Sequence, residues 1–148
     1  MPPSHAVIIR KAVPEDALGI KALIDGNVSS GVLLPRSLDF ILSQVDHYVV
    51  ADLDGEVVGC AHLEEYAPSR AEIRSVSVAA PHRRHGVGSD LVAAAEALGR
   101  KRQYSTLFAV SDRDQFFKAL GYVERHIPEL DRERSEVSKF KGVYAKDI

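Results

Sequence analysis

The chain has 148 residues, 19 basic against 21 acidic side chains, a formal net charge of −2 and 45% hydrophobic content. That length suits a single domain whose core needs no covalent staple, and a lone cysteine, Cys60, excludes an internal disulfide framework and a cysteine-rich zinc site. The charge balance argues against nucleic acid as a partner, no apolar run reaches the roughly 18 residues of a membrane span, and the N-terminus lacks a signal-peptide pattern, so a cytoplasmic protein is expected.

In chain order, Val7 to Lys11 is a β-branched run predicted as the first strand. Pro14 opens a helix with Ala17, Ile20, Leu23 and Ile24 on one face, and Gly26 is placed at its exit. Residues 26–35 are predicted as a turn-rich connection, and Ser37 to Val45 as a short helix. Tyr48 to Leu53 and Glu56 to Leu63 flank Asp54-Gly55, a strong hairpin signal, and Pro68-Ser69 leads a second hairpin into Ile73 to Ala79. Gly86 to Lys101 has a helical period with Val87, Leu91, Ala94, Ala95 and Leu98 inward. Thr106 to Val110 is a strand, Arg113 to Leu120 a helix ended by Gly121, and Tyr122 to Arg125 and Val143 to Lys146 are final strands. Between those two, Glu129 to Glu136 is a charged loop. The order β-α-α-β-β-β-α-β-α-β-β predicts one α/β (α+β) domain over residues 1–148, a mixed sheet with helices on both faces. The Asp54-Gly55 hairpin disfavours a purely parallel sheet.

The most informative stretch is Val76 to Asp90, where a strand leads through Arg83-Arg84-His85-Gly86-Val87-Gly88-Ser89 into a helix. Glycines let a backbone approach a ligand closely. The unpaired N–H groups of a helix N-terminus attract an anion, to which Arg83, Arg84 and Ser89 add charge and hydrogen bonds. This is pyrophosphate-cradling chemistry. The segment has neither the Lys-Ser/Thr ending of a Walker A loop nor the first glycine of the dinucleotide fingerprint.

Arg83-x-x-Gly86-x-Gly88 between strand and helix resembles the acetyl-CoA motif of the GNAT acetyltransferase superfamily, and Phe116-Phe117 followed by Gly121-Tyr122 resembles its later aromatic signature. The resemblance implies a GNAT fold with a mostly antiparallel sheet and acetyl-CoA as cosubstrate. It implies that the backbone of Val76, Ser77 and Val78 takes the pantetheine and acetyl carbonyl, and that Arg84, His85, Gly86, Val87, Gly88 and Ser89 hold the pyrophosphate. Residues 31–37 (GVLLPRS), 54–61 (DGEVVGCA) and 72–78 (EIRSVSV), with Ser138-Lys139 and residues 143–148, resemble the acetyltransferase domain of bacterial N-acetylglutamate synthases. That group implies L-glutamate as acceptor and a place in arginine biosynthesis.

Acetyl transfer to an amine needs a base, an oxyanion site and a leaving thiolate. Glu72 is the candidate base: the related synthases use a glutamate there, and strand alternation puts 72, 74, 76 and 78 on one face. Glu64 and Glu65 compete with it. Phe117 stands where many relatives carry an acidic tyrosine; Tyr122 and Ser111 are weak substitutes, and no acid is assigned. Arg36 and Arg74 are candidates for gripping acceptor carboxylates, with Ser138 and Lys139 behind them. His82 and His85 lack further ligands, so no metal is expected; Cys60 reads as an inert core residue and Arg100 to Arg102 as a solvated helix end. The expected partner is a small-molecule amine or amino acid, with homodimerisation left open. A polyamine, drug-like or protein amine as acceptor, or a non-catalytic CoA-binding module, are the alternatives.

Overall fold

The computed structural model describes residues 7–29, 35–127 and 141–148. Strands β1 (Ile8–Lys11), β2 (Tyr48–Leu53), β3 (Glu56–Ala67), β4 (Arg70–Val78), β5 (Thr106–Ser111), β6 (Val123–Glu124) and β7 (Gly142–Asp147) form one sheet in the order β1-β2-β3-β4-β5-β7-β6. All neighbours are antiparallel except β4 and β5, which are parallel. Helices α1 (Ala17–Ser29), α2 (Leu38–Ser43), α3 (Val87–Lys101) and α4 (Asp114–Ala119) complete the predicted order.

The helices divide between the two faces. Ile20 and Ile24 of α1 and Ile41 of α2 pack with Tyr48, Val50 and Cys60 on one. Val87 and Leu91 of α3 pack with Val49, Ala51 and Ala61 on the other, where Phe117 of α4 joins Ile73 and Val92. Asp54 and Gly55 take φ values of 52° and 88°, the paired positive angles of a tight hairpin turn.

Two local expectations are corrected. Gly26 does not end α1, which continues to Ser29. Buried Asn27 bonds from its amide to Leu23 O and Ser77 Oγ, and this tertiary anchor carries the helix past the glycine. In α3 the buried stripe is Val87, Leu91, Val92, Ala95, Glu96 and Gly99, whereas Ala94 and Leu98 are only half-buried. Glu96 turns inward because Tyr122 Oη and Lys146 Nζ donate to its carboxylate at 2.8 and 3.1 Å.

Two irregularities of β4 shape the molecule. First, β4 and β5 pair over three rungs only, Arg70 with Thr106, Ala71 with Leu107 and Glu72 with Phe108. Both strands run on beyond that last rung, so the sheet splits there. Second, β4 bulges. Arg74 stands opposite His62 and Ser77 opposite Cys60, so Ser75 and Val76 together face Ala61, and Ser75 adopts φ 56°. The extra residue reverses the alternation along the strand.

Candidate active site

The bulge corrects the expected single line of residues 72, 74, 76 and 78. Register places Glu72, Arg74 and Ser77 opposite Glu64, His62 and Cys60, on the face covered by α1 and α2. Ile73, Val76 and Val78 pack instead in the clusters on the α3 face. Any role of Val76 and Val78 toward a ligand therefore falls to their backbone. Ala79 donates its N–H to Val58 O at 2.8 Å, so by strand alternation the polar groups of Val78 point away from β3. Arg83 Nε confirms that direction, reaching Val78 O at 3.0 Å.

Glu72 occupies the last rung before the split, opposite Phe108. Its carboxylate lies 3.8 Å from Arg74 Nε, while Arg74 Nη1 bonds to Glu64 Oε2 at 2.5 Å. Burial works to raise the Glu64 carboxyl, but Arg74 outweighs it and holds that group below the usual carboxylate range. Arg36 completes the group: burial lowers its guanidinium pKa, repulsion from Arg74 lowers it further, and Glu64, Tyr48 and Glu72 pull it back in part. Four predicted residues (Arg36, Glu64, Glu72 and Arg74) are thus brought into one electrostatic cluster. Tyr48 and His62, which the sequence reading passed over, sit beneath it with their rings stacked 4.4 Å apart. A histidine amid the apolar run of β3 was the signal available for His62.

Other candidates fall outside the cluster. Glu65 lies one residue out of phase, accepting from Tyr104 Oη at 2.9 Å, and Tyr104 belongs to the α3-side core. Tyr122 is buried with its hydroxyl on Glu96, and burial together with that carboxylate pushes its pKa up. Phe117 is packed edge-on between Phe116 and Tyr122. Ser111 Oγ accepts from Arg113 N. Cys60 is buried, its thiol pushed up to about 12 by desolvation. Ser138, Lys139 and residues 129–136 lie outside the described residues.

At the end of β4, Arg84 (φ 65°) and Gly86 (φ 84°) turn the chain through left-handed conformations into α3. The first helical bond runs from Asp90 N to Gly86 O, so the preceding N–H groups of Val87, Gly88 and Ser89 have no helical carbonyl to meet. Arg84 and His85 are exposed around this turn, while Val87 is buried in the core. The conformation fits an anion cradle. A Cβ added at Gly88 would point at Phe116, 3.4 Å away.

His62 yields a test of this burial. Desolvation pushes its pKa from 6.5 down to about 4. The unfolded chain then binds a proton that the folded chain refuses, so stability falls as pH drops from about 6.5, and the loss of about 3 kcal/mol is complete near pH 4. Denaturant melts between pH 7 and 4 should show this decline in the parent protein and a correspondingly shallower one in His62→Phe.

Comparison with known proteins places the family and the fold. The model of the acetyltransferase (GNAT) family matches residues 28–125. An uncharacterized N-acetyltransferase of Chlorobaculum tepidum is 34% identical over 82% of this chain and 79% of its own length. An amino-acid acetyltransferase of Pseudomonas putida is 26% identical over 90% of this chain, which spans 32% of that longer protein. N-acetylglutamate synthase from Neisseria gonorrhoeae, solved with coenzyme A and N-acetyl-glutamate, superposes with a TM-score of 0.86 at 28% identity, covering 96% of this chain and 35% of that one. A Mycobacterium tuberculosis protein solved with CoA and NLQ superposes with a TM-score of 0.82 at 26% identity, covering 95% of this chain and 99% of that one.

Proposed function

The chain belongs to the acetyltransferase (GNAT) family, and from that premise we propose that it moves the acetyl group of acetyl-CoA onto the α-amino group of a small amino acid, with L-glutamate as the first acceptor to test. The observation that carries this reading is a carboxylate, Glu72, on the last rung before the β4–β5 split, with Arg74 beside it and Arg36 in the same cluster. Guanidinium groups suit a substrate that carries a carboxylate.

Each step then has a residue. The N–H groups at the start of α3, with Arg84 and His85 exposed beside them, hold the pyrophosphate. The backbone of Val76 to Val78, on the stretch of β4 that has left β5, receives the pantetheine arm and the acetyl carbonyl. Arg83 releases Val78 O as that arm enters. Glu72 takes the proton from the acceptor's ammonium group, freeing the nitrogen lone pair to attack. Backbone N–H groups of β4 steady the oxyanion. Acetyl-CoA supplies a thioester whose thiol, with a pKa near about 8.5, leaves as thiolate without a dedicated acid.

Thiol release measured with L-glutamate, L-glutamine, a polyamine and a peptide N-terminus tests the reading. Saturable turnover is expected with the amino acids, and far less with the polyamine. Equal rates with glutamate and a carboxylate-free amine would remove the amino-acid acceptor. Binding of acetyl-CoA with no turnover on any amine would mark a non-catalytic CoA-binding module.

A further inference from the structure

Glu64 and Glu72 stand directly opposite each other on β3 and β4, two carboxylates on one face of the sheet. Like charges in facing positions repel, and each makes the other harder to ionise. Arg74 is the cation beside them, and it is shared unequally. Its Nη1 bonds to Glu64 Oε2 at 2.5 Å, whereas its Nε stays 3.8 Å from Glu72 Oε2. The first contact is a hydrogen-bonded ion pair; the second lies beyond hydrogen-bond reach. The side chains of Glu72, Arg74 and Glu64 are 19%, 28% and 33% exposed, so solvent screens their charges only in part.

Other elements also face Glu72. Arg70, on the same face of β4, carries its guanidinium 5.8 Å from the centre of the Tyr66 ring. Arg36, ahead of α2, feels both carboxylates and Arg74. From β5 the facing residue is Phe108, which has no charge. The unequal sharing of Arg74 is therefore what sets Glu64 and Glu72 apart.

A carboxylate gripped by a guanidinium stays ionised but takes a proton poorly. Glu64 is in that state, its carboxyl held below the usual range by Arg74. By occupying Arg74 it keeps Glu72 from the same grip, and its own negative charge adds to the basicity of its neighbour.

We propose that Glu64 is a positioning residue acting through Arg74: it draws the guanidinium off Glu72 and so keeps Glu72 basic enough to take the acceptor's proton. The proposal rests on Glu72 as the base and goes beyond it by giving the facing carboxylate a task.

The test is a charge cycle of Glu64→Gln, Arg74→Gln and the double variant, with Glu72→Gln as the reference. Carboxyl ¹³C shifts of the glutamate side chains, followed downward in pH to the onset of unfolding, read Glu72 in the free protein without any acceptor. The acid limb of kcat/KM under saturating acetyl-CoA, with whichever amine of the panel above turns over, reads the same group. A base works unprotonated, so a fall in its pKa moves that limb to lower pH and lowers the plateau. With Glu64 neutral, Arg74 turns to Glu72, and both midpoints should move down by about one pH unit or more. Arg74→Gln leaves the facing carboxylates unshielded and should move both upward. In the double variant the opposed changes should cancel, returning Glu72 close to its parent midpoint.

A side chain needed only for packing gives neither opposed shifts nor this rescue. A Glu72 midpoint that is unmoved or raised in Glu64→Gln, or a double variant that stays displaced, would overturn the proposal while a slow Glu72→Gln enzyme leaves the base assignment standing. A Glu72→Gln enzyme of normal rate would bring down both. Should Glu64→Gln fail to fold, Glu64→Asp retains the charge but loses reach toward Arg74; it should show a smaller downward shift, and no shift would be equally fatal.

Discussion

Replacing Glu72 with glutamine should lower turnover by roughly 10²–10⁴, the usual size of a general-base contribution. The amide keeps the shape and the hydrogen-bonding reach of the carboxylate but takes no proton. An α-ammonium group is mostly protonated at neutral pH, so the deficit should be largest at low pH and shrink as the free amine becomes abundant. Acetyl-CoA affinity should stay close to that of the parent, because the α3 turn lies beyond the other end of β4. The pH–rate profile under saturating acetyl-CoA is the decisive measurement. A Glu72→Gln enzyme of normal rate would transfer the role to Glu64. That carboxylate is the poorer candidate because Arg74 holds it in its ionised form.

The second large effect is expected at Gly86. A Cβ there would meet nothing within 4 Å, so space is not the constraint; the φ of 84° is. A β-branched residue in that conformation is a severe outlier, at a cost of roughly 1–2 kcal/mol. Gly86→Val should relieve the strain by reshaping the turn, which misdirects the N–H groups of Val87, Gly88 and Ser89. Loss of one such contact to a charged phosphate should weaken acetyl-CoA binding about 10- to 100-fold. Gly88→Ala makes an informative contrast, because its methyl group would rest at ordinary contact distance from Phe116. Calorimetric titration of the two variants should separate them widely, and equal affinities would sink the cradle assignment.

The order of elements was legible because each signal is local: β-branched runs, an Asp-Gly turn, and a glycine turn that starts an amphipathic helix. The candidate Glu72 was legible through resemblance, Arg36 and Arg74 through the match of guanidinium to carboxylate, and the fold brings the three together. What stayed hidden is non-local. Nothing near Ser75 marks it as a bulge, yet that one residue turns Val76 and Val78 to the opposite face from the one alternation gives them. Tyr48 and His62 looked like ordinary strand residues, since only the pairing of β2 with β3 sets their rings together with Tyr48 Oη and His62 Nδ1 unpaired. Tyr122 likewise looked available as an acid until the tertiary fold laid Glu96 against its hydroxyl.

The three rungs that join β4 to β5 have a mechanical meaning. They make the sheet a pair of plates, β1 to β4 and β5 with β7 and β6, meeting along a short seam. A ligand lying in the split would act as a wedge and as a seam at once, adding contacts between plates to those of the three rungs and of the core cluster that spans them. Its binding energy would then also be cohesion energy for the protein, so resistance to unfolding would follow the concentration of acetyl donor by mass action. In that sense the supply of substrate would add to the molecule's resistance to unfolding.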